Sequence, residues 1–423
     1  MEKKKALDYH KFPNPGKIEI VPTKNCKTQE DLSLAYTPGV AVPCLEIEKD
    51  DSMSFDYTGR GNLVAVITDG SAVLGLGDIG PLASKPVMEG KSLLFKRFAD
   101  VNSYDIEVDE KDPDRFVGIV KALEPTFGGI NLEDISSPRC FEIEEKLKKL
   151  MNIPVFHDDQ HGTAVIGAAG VLNGLEIAGK RPEDCKVVMT GPGAAGVAIA
   201  KHMINCGFKK ENIFAYDSKG VLYKGRENKK SPFHTFLFRD TDKRTLLELF
   251  DGADVFIGTS VKGLVSESML EKMAENPVVF PMANPYPEIS YETVMKVRPD
   301  ALAGTGRSDY PNQVNNVLGF PAIFRGALDV RARKITEKMK MAATHALMRV
   351  TKMPVSQVIL DIYGLKELEF GRDYIIPKPF DPRVLVEVAC SVAKAAMEEG
   401  VSRIEIDIDK YREELSRRFN NEN

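Results

Sequence analysis

Acidic side chains form two adjacent pairs in the first half of the chain. One pair is Glu133 and Asp134, and the other, Asp158 and Asp159, follows the apolar segment 153–156 after His157. That segment predicts a buried strand, and sites in α/β proteins form at the carboxyl ends of such strands. If the two loops meet, four hard oxygen donors converge. Carboxylates without a thiolate indicate Mg²⁺ or Mn²⁺ rather than zinc.

Each pair also has a simpler interpretation when it is taken alone. Asp158 or Asp159 would cap the helix that is predicted to follow, and the first pair would be a solvated turn. The combination of both pairs with a preceding apolar strand favours the metal site. His157 and His161 flank the second pair, and we expect them to support the ligands rather than to bind the ion.

A lysine and a tyrosine are the candidates for acid–base chemistry. Lys91 lies early in a helix predicted over 88–99, where the positive helix end and a nearby cation would lower its pKa and suit it to act as a base. The alternative is a surface lysine that packs only its stem. Tyr36 lies beside a Pro-Gly turn, where it is either a proton donor or a packing residue.

A glycine-rich turn is the strongest local signal in the chain. Residues 190–196 read TGPGAAG between a predicted strand at 186–189 and a predicted helix at 197–204, and about twenty-five residues further on a second strand ends in an acid. Strand, turn, helix and acid together predict a nicotinamide dinucleotide site, with the pyrophosphate at the helix N-terminus. The expected contacts are Gly191, Gly193, Ala194, Ala195, Gly196 and Asp217.

The choice between NAD and NADP stays open in the sequence. Asp217 should accept hydrogen bonds from the ribose hydroxyls and repel a 2′-phosphate. Lys219 follows two residues later and would neutralise that phosphate.

Composition bounds the class of protein. The chain has 423 residues, 43% apolar residues and a net charge of −5, so we expect at least two globular domains and no nucleic-acid partner. No apolar run approaches the roughly 20 residues of a membrane span. The six cysteines are scattered without metal-type spacing, and together with a polar N-terminal region they predict a cytoplasmic protein with reduced thiols.

The pattern along the chain predicts an α/β fold in three parts. Residues 1–162 should form a substrate and metal domain, 163–350 a Rossmann-type domain with a doubly wound parallel sheet, and 351–423 a helical segment packed on the cofactor domain. In the first part we predict strands at 63–68 and 153–156 and helices near 88–99, 113–122 and 138–150. Later elements are a helix at 163–177, strands at 254–257, 277–280 and 301–303, and helices at 322–330, 335–350 and 382–399.

Over nearly its whole length the chain resembles the malic enzymes, in their short bacterial and archaeal form. The motifs that carry the resemblance are 36–39 (YTPG), 68–70 (TDG), 74–78 (LGLGD), 89–91 (EGK), 131–134 (NLED), 156–163 (FHDDQHGT), the glycine turn, 282–285 (MANP) and 312–317 (NQVNNV). The resemblance implies oxidative decarboxylation of L-malate to pyruvate and CO₂, and also decarboxylation of oxaloacetate, with NAD or NADP and Mg²⁺ or Mn²⁺. It further implies a homodimer or higher homo-oligomer, in which Tyr36 or Lys91 reaches a neighbour's site.

The resemblance also implies roles for individual residues. Tyr36 would be the general acid and Lys91 the general base, in contact with the substrate. The metal ligands would be Glu133, Asp134 and Asp159, with Asp158 in support. Asn284 and Asn316 would contact malate or the nicotinamide.

One position departs from the larger eukaryotic malic enzymes, which hold a malate carboxylate with an arginine just after the Asp-Gly of the first strand. Here Asp69-Gly70 is followed by Ser71 and Ala72. We expect Arg307, which follows a predicted Rossmann strand, to bind the substrate carboxylate instead. An ion pair between Arg307 and an aspartate is an equally good interpretation.

Two other functions are compatible with parts of the pattern. A metal-independent dehydrogenase would need the glycine turn but not the carboxylates. A non-catalytic nucleotide sensor would need neither Tyr36 nor Lys91. The presence of all three features favours the metal-dependent enzyme.

Overall fold

The computed structural model describes residues 3–73, 75–226 and 232–420. Leu74, the first residue of the motif at 74–78, lies outside these described residues. Within them, the strands that pair into ladders form two separate sheets. None of the described helices combines the length and apolar composition needed to cross a bilayer.

The first sheet has four parallel strands in the order β2-β1-β3-β4 among the described residues. Its strands are β1 (Leu63–Thr68), β2 (Asn102–Glu107), β3 (Gly129–Leu132) and β4 (Val155–His157). The sequence predicted β1 and β4 but missed the other two. The edge strand β2 is polar and largely unburied, and β3 is only four residues long and begins with glycine, so neither shows a clear apolar period.

The helices of the first half are α1 (Lys3–Lys11), α2 (Gln29–Ala35), α3 (Ala41–Lys49), α4 (Ser54–Tyr57), α5 (Pro81–Ala99), α6 (Pro113–Ala122) and α7 (Arg139–Leu150). The predicted helices at 113–122 and 138–150 match α6 and α7 closely. The helix predicted at 88–99 is longer than expected, because α5 begins at Pro81. The helices α1, α2 and α3 bury none of their residues against the rest of the chain.

The second sheet confirms the doubly wound prediction, with six strands in the order β10-β9-β8-β5-β6-β7 among the described residues. Its strands are β5 (Val187–Thr190), β6 (Ile213–Asp217), β7 (Gly220–Val221), β8 (Val255–Gly258), β9 (Val278–Pro281) and β10 (Leu302–Ala303). All neighbours are parallel except β6 and β7. The chain changes direction across the sheet between β5 and β8, and such a switch point is where α/β sheets bind ligands.

The long helix α8 (Asp158–Ala178) connects the two sheets. It begins at Asp158 rather than at Thr163, so the predicted domain boundary at 162/163 falls inside this helix. Around the second sheet lie α9 (Ala194–Asn205), α10 (Pro232–Thr235), α11 (Leu246–Phe250), α12 (Glu267–Glu271) and α13 (Tyr291–Val297). The acids of the second predicted pair are therefore the first residues of a helix whose middle is fully buried.

The C-terminal part is helical, as predicted, and it packs on both halves of the chain. Its helices are α14 (Phe320–Asp329), α15 (Glu337–Val350), α16 (Gln357–Tyr363), α17 (Pro382–Glu398) and α18 (Ile408–Asn420). Phe95 of α5 meets Phe320 and Phe324 of α14 edge to face, at ring-centroid distances of 4.8 and 5.3 Å. Buried side chains of both sheets share one large core, and other side chains of the second sheet pack in a separate, smaller core.

Candidate active site

Lys91 lies well inside α5 and not in its first turn, because that helix begins at Pro81. The expected lowering of its pKa by a helix N-terminus is therefore wrong. The Lys91 ammonium is 2.7 Å from Asp158 Oδ2 and 2.8 Å from Glu133 Oε1, and it lies over the ring of Phe320. Burial alone would lower the pKa of Lys91, but the negative charges of Asp158 and Glu133 outweigh burial and raise this pKa.

Three of the predicted acids converge into one group. Glu133, Asp134 and Asp159 each offer a carboxylate oxygen, and these oxygens all lie within 4.8 Å of one another. The first two follow β3, and Asp159 lies in the first turn of α8, so the parallel pairing of β3 with β4 brings them together. The backbone N–H of Asp134 donates to Asp159 Oδ2 at 2.8 Å, which fixes the two loops relative to each other.

Negative charge is in excess at this group. Glu133 and Asp134 are buried, Asp158 is fully buried, and Lys91 contacts Glu133 and Asp158. Burial and the charges of Asp159, Asp158 and Asp134 raise the pKa of Glu133 well above its ordinary value, although Lys91 opposes them. A buried all-oxygen donor set with surplus negative charge fits a hard divalent cation such as Mg²⁺ or Mn²⁺.

Asp158 joins Lys91 to the cofactor half of the chain. Its Oδ2 accepts hydrogen bonds from Lys91 Nζ at 2.7 Å and from Asn316 Nδ2 at 3.0 Å. Asn316 Oδ1 accepts in turn from the hydroxyl of Thr163, at 3.1 Å. Glycine is required at 162, because a Cβ there would overlap Asp158 Oδ1. The structure thus brings Asn316 to the lysine and carboxylate group, and its contact with malate or the nicotinamide stays a prediction.

Asn284 follows β9 and lies near the glycine-rich loop of the first half. A Cβ at Gly75 would lie 3.2 Å from Pro285 Cδ, and a Cβ at Gly306 would lie 3.1 Å from Asn284 Nδ2. Segments 75–78, 284–285 and 304–307 therefore meet at the border between the two halves of the chain.

Arg307 forms an ion pair with Asp309, with Nη2 2.6 Å from Oδ2 and Nε 2.9 Å from Oδ1. This is the aspartate pairing that the sequence left as the alternative. Arg307 also lines a cavity of about 220 Å³ together with Tyr286 and Glu292, and 44% of its side chain is exposed. A role in binding a substrate carboxylate stays a prediction.

The departure at Ser71 has a structural consequence that the sequence did not reveal. Arg139, at the start of α7, donates to Ser71 Oγ at 2.9 Å and forms an ion pair with the buried Asp69. Ser71 Oγ also donates to Asp69 Oδ1 at 2.5 Å and accepts from the backbone N–H of Ser136. An arginine thus lies beside the end of β1, but it is Arg139 of α7 and not a residue that directly follows Asp69-Gly70.

Tyr36 lies apart from this group. It follows α2 and is 70% exposed, and within residues 3–73, 75–226 and 232–420 its hydroxyl forms no hydrogen bond with Lys91. Large apolar side chains around it are exposed as well, including Leu34 at 69% and Val42 at 66%. Its assignment as general acid stays a prediction.

The glycine turn adopts the conformation that its sequence predicts. Gly191 has a φ of +74°, and a Cβ there would overlap the carbonyl of Thr259. A Cβ at Gly196 would lie 2.6 Å from the carbonyl oxygen of Gly191, so the close approach of turn and helix needs both glycines. The helix α9 begins at Ala194 and continues through Ala195, which directs its N-terminus into a cavity of about 580 Å³ that Gly193 also lines.

Asp217 ends β6 and lines the same cavity, as does Lys219. Nothing in the local sequence indicated that Asp217 would already be paired. Arg226 contacts it through Nη2, at 2.6 Å from Oδ1 and 2.9 Å from Oδ2. Glu288 was missed too: it is fully buried and accepts from the backbone N–H groups of Ser260 and Ala283, where β8 and β9 end.

Two family models match the chain in succession. The model of the malic enzyme N-terminal domain matches residues 15–148, and that of the malic enzyme NAD binding domain matches residues 160–361. The first range contains Lys91, Glu133 and Asp134, and the second contains the glycine turn, while Asp158 and Asp159 lie between the two ranges.

Individual relatives agree with these matches. The chain is 56% identical over 416 residues to the NADP-dependent malic enzyme of Salmonella typhimurium, covering 98% of this chain and 55% of the relative. It spans about half the length of several of the curated relatives it matches. Identity to the NADP-dependent malic enzyme of Halomonas elongata is 55%, covering 94% of both chains.

Similarity extends to a solved structure. The crystal structure of the malic enzyme from Pyrococcus horikoshii superposes with a TM-score of 0.91 at 44% identity, covering 99% of this chain and 95% of the other. Sequence, fold and site geometry agree, and the chain belongs to the malic enzyme family.

Proposed function

We propose that the chain catalyses the oxidative decarboxylation of L-malate to pyruvate and CO₂, with reduction of NAD⁺ or NADP⁺, and that it also decarboxylates oxaloacetate. The observation that carries this proposal is the buried contact of Lys91 with Asp158 and Glu133, next to Asn316 from the cofactor half. This arrangement joins a proton acceptor, a metal site and a dinucleotide cleft.

The metal ligands in this proposal are Glu133, Asp134 and Asp159, with Mg²⁺ or Mn²⁺ as the ion. A bound divalent cation would neutralise the charge that faces Lys91, polarise the C2 oxygen of malate and stabilise the negative charge left when CO₂ departs. Asp158 keeps the Lys91 side chain directed at the group through its 2.7 Å contact.

Proton transfers are divided between two residues. Lys91, neutral once a bound cation offsets the carboxylate charge, would accept the C2 hydroxyl proton of malate, and the bound nicotinamide would supply the hydride acceptor. After CO₂ is lost, Tyr36 would deliver a proton to C3 to give pyruvate. Asn316 and Asn284 position the substrate or the nicotinamide. Lys91 is shielded from solvent, with 10% of its side chain exposed, which suits a base that must not exchange its proton with bulk water.

An initial-rate assay with L-malate, each nicotinamide cofactor and either Mg²⁺, Mn²⁺ or EDTA tests this function. We expect reduction of the cofactor, formation of pyruvate, and loss of both in EDTA. Lys91→Ala should lower the rate by about 10² to 10⁴-fold. Lys85→Ala is the matched control, because Lys85 lies on the same helix but pairs with Asp105. Turnover in EDTA would instead support a metal-independent dehydrogenase, and no turnover at all would support a nucleotide sensor.

The two half-reactions separate the base from the acid. Tyr36→Phe should be poor at malate oxidation but should still reduce supplied oxaloacetate with NADH or NADPH, because that step needs no C3 proton. Lys91→Ala should lose oxaloacetate reduction, since no group then returns the hydroxyl proton. Equal loss in both variants would place Tyr36 in the hydride-transfer step and refute this division of roles.

We also propose that the protein is a homodimer or higher homo-oligomer in which Tyr36 acts in the site of the neighbouring subunit. The helices α1, α2 and α3 bury none of their residues, and large apolar side chains on this N-terminal surface are exposed. A contiguous exposed apolar surface is typical of a protein interface. These exposed side chains are Leu7, Tyr9, Phe12, Ile20, Val21, Leu34, Tyr36, Val42 and Leu45.

Mixing two inactive variants tests this arrangement. When Tyr36→Phe and Lys91→Ala subunits exchange, a mixed dimer regains one intact site only if Tyr36 acts across the interface. Random exchange at equal amounts should then restore about a quarter of the wild-type rate. A monomer in light scattering, or no recovery after verified exchange, would contradict the proposal.

We place the protein in the cytoplasm. All six cysteines are unpaired in the structure, three of them buried, and free thiols persist in a reducing compartment. Fractionation of cells that express the chain, followed by immunodetection, would test this location.

A further inference from the structure

The cavity beside the glycine turn is lined by charged side chains of both signs. Its volume is about 580 Å³, and it is lined by Gly191 and Gly193 on one side and by Asp217, Lys219 and Arg226 on the other. If the pyrophosphate binds at the turn, the adenosine ribose lies next to Asp217.

Asp217 does not face this cavity as a free carboxylate. Its Oδ1 accepts the backbone N–H of Lys219 at 2.7 Å and Arg226 Nη2 at 2.6 Å, and its Oδ2 accepts Arg226 Nη2 at 2.9 Å. Three N–H donors therefore fix the orientation of the carboxylate, and the guanidinium compensates its charge. Such charge-assisted pairs are stronger than neutral hydrogen bonds.

Arg226 is held in place by the backbone as well. Its Nη1 donates to the carbonyl oxygens of Gly220 and Val221, each at 2.9 Å, and only 12% of its side chain is exposed. These two carbonyls belong to β7, which turns back antiparallel to β6 and so brings Arg226 beside Asp217. The guanidinium is thus a built part of the cavity wall.

Lys219 adds positive charge at the same edge. The structure gives its ammonium no carboxylate within ion-pair distance among residues 3–73, 75–226 and 232–420. Because Arg226 compensates Asp217, the charge of Lys219 is left over for a ligand.

We propose that this cavity binds a 2′-phosphorylated adenosine, and that Arg226 is the residue that determines specificity for NADP over NAD. The inference rests on the proposed use of the cavity as the dinucleotide site. An uncompensated Asp217 would repel a 2′-phosphate, whereas the Asp217–Arg226 pair and Lys219 present a net positive edge to it. The role of Asp217 is then to hold the guanidinium rather than to select the ribose hydroxyls of NAD.

Two nucleotides that differ only in the 2′-phosphate test the proposal without turnover. Calorimetric titration of the wild-type protein should give an affinity for 2′,5′-ADP about tenfold or more above that for 5′-AMP. Arg226→Ala should abolish this preference, because it leaves Asp217 uncompensated. Arg226→Lys should restore part of it, since the charge returns without the two-oxygen contact. Lys219→Ala should weaken 2′,5′-ADP alone.

Two further variants keep the test independent of folding defects. Asp217→Asn combined with Arg226→Ala should lose less affinity for 2′,5′-ADP than Arg226→Ala alone, because the repelling anion is gone. Arg244→Ala is the matched control: Arg244 lies close to Gly220, but its guanidinium stacks on Tyr223 at 3.7 Å and does not line the cavity. It should leave both affinities unchanged.

The outcomes distinguish this inference from the proposed function. Equal wild-type affinity for the two nucleotides, or an unchanged affinity ratio in Arg226→Ala, would overturn the role of Arg226 even if malate is oxidised with NAD⁺. Absence of binding by either nucleotide, together with absence of malate oxidation, would overturn the proposed function itself. The ratio of kcat/KM for NADP⁺ to that for NAD⁺ should fall in Arg226→Ala in parallel with the nucleotide affinities.

Discussion

Replacing Glu133 by glutamine should separate metal binding from stability, because the two depend on its charge with opposite sign. Glu133 lies at most 4.8 Å from ligand oxygens of Asp134 and Asp159, and 2.8 Å from Lys91 Nζ. With an effective dielectric constant of about 20, each repulsion amounts to about 3 kcal/mol or more and the attraction to about 6 kcal/mol. Burial and Asp158 add to the repulsion and keep the pKa of Glu133 raised, so Glu133→Gln should leave the unfolding free energy of the metal-free protein unchanged or raise it slightly, by about 1 kcal/mol.

The affinity of the site for a divalent cation should change much more than the stability of the metal-free protein. Loss of one of three carboxylates should weaken Mn²⁺ binding by about 100-fold or more, which corresponds to about 2.7 kcal/mol. By mass action, saturating Mn²⁺ should then stabilise the folded variant less than the folded wild type, by this same free energy. For a chain of 423 residues, the rise in Tm that Mn²⁺ causes should be about 3 °C smaller in the variant than in the wild type. The Tm of the metal-free protein should change by about 1 °C.

Calorimetry with Mn²⁺ and thermal unfolding with and without the ion provide the measurements. Glu144→Gln is the matched control, since Glu144 is also buried but contacts Lys148 at 2.6 Å and His161 at 2.7 Å. Burial would raise the pKa of Glu144, but His161 and Lys148 hold it well below its ordinary value. This control should destabilise the metal-free protein and leave Mn²⁺ affinity unchanged. Unchanged Mn²⁺ affinity in Glu133→Gln, or a loss of metal-free stability as large as in the control, would refute the reasoning.

Three further changes have defined outcomes. Arg307→Ala should raise the KM for malate about tenfold or more if the guanidinium binds a substrate carboxylate, and an unchanged KM in a folded variant would exclude that role. Burial, with help from Lys340, lowers the pKa of His202 to about 4, so the folded state binds fewer protons than the unfolded chain between pH 6.5 and 4. The contribution of His202 to the unfolding free energy is therefore fully present above pH 6.5, and about 3 kcal/mol of it should be lost on acidification to pH 4. In urea unfolding, the stability of His202→Gln should depend less on pH than that of the wild type. An identical pH dependence would contradict the assignment. Gly162→Ala should displace the Asp158 carboxylate and lower kcat while leaving nucleotide binding intact, which stopped-flow cofactor binding can check.

Local patterns were sufficient for much of the fold. The turn at 190–196 required glycine for steric reasons that act within a few residues, and the structure has Gly191 at positive φ as such a turn needs. The parallel order of the second sheet followed from alternating strands and helices. By contrast, β2 and the beginning of α8 were misjudged, because a polar edge strand and a helix that starts on two acids carry no local signature.

The sequence by itself determined the chemical types at the site, because carboxylates, a lysine and a glycine turn keep their chemistry in any fold. The tertiary structure decided which of these groups meet and what charge each of them faces. Lys91 was expected to have a lowered pKa, yet Asp158 and Glu133, which are distant in sequence, contact it and raise this pKa. Asp217 was expected to be free, yet the return of β7 brings Arg226 to it. Electrostatic energy depends on distances in space, and those distances are fixed only when the sheets and helices have packed.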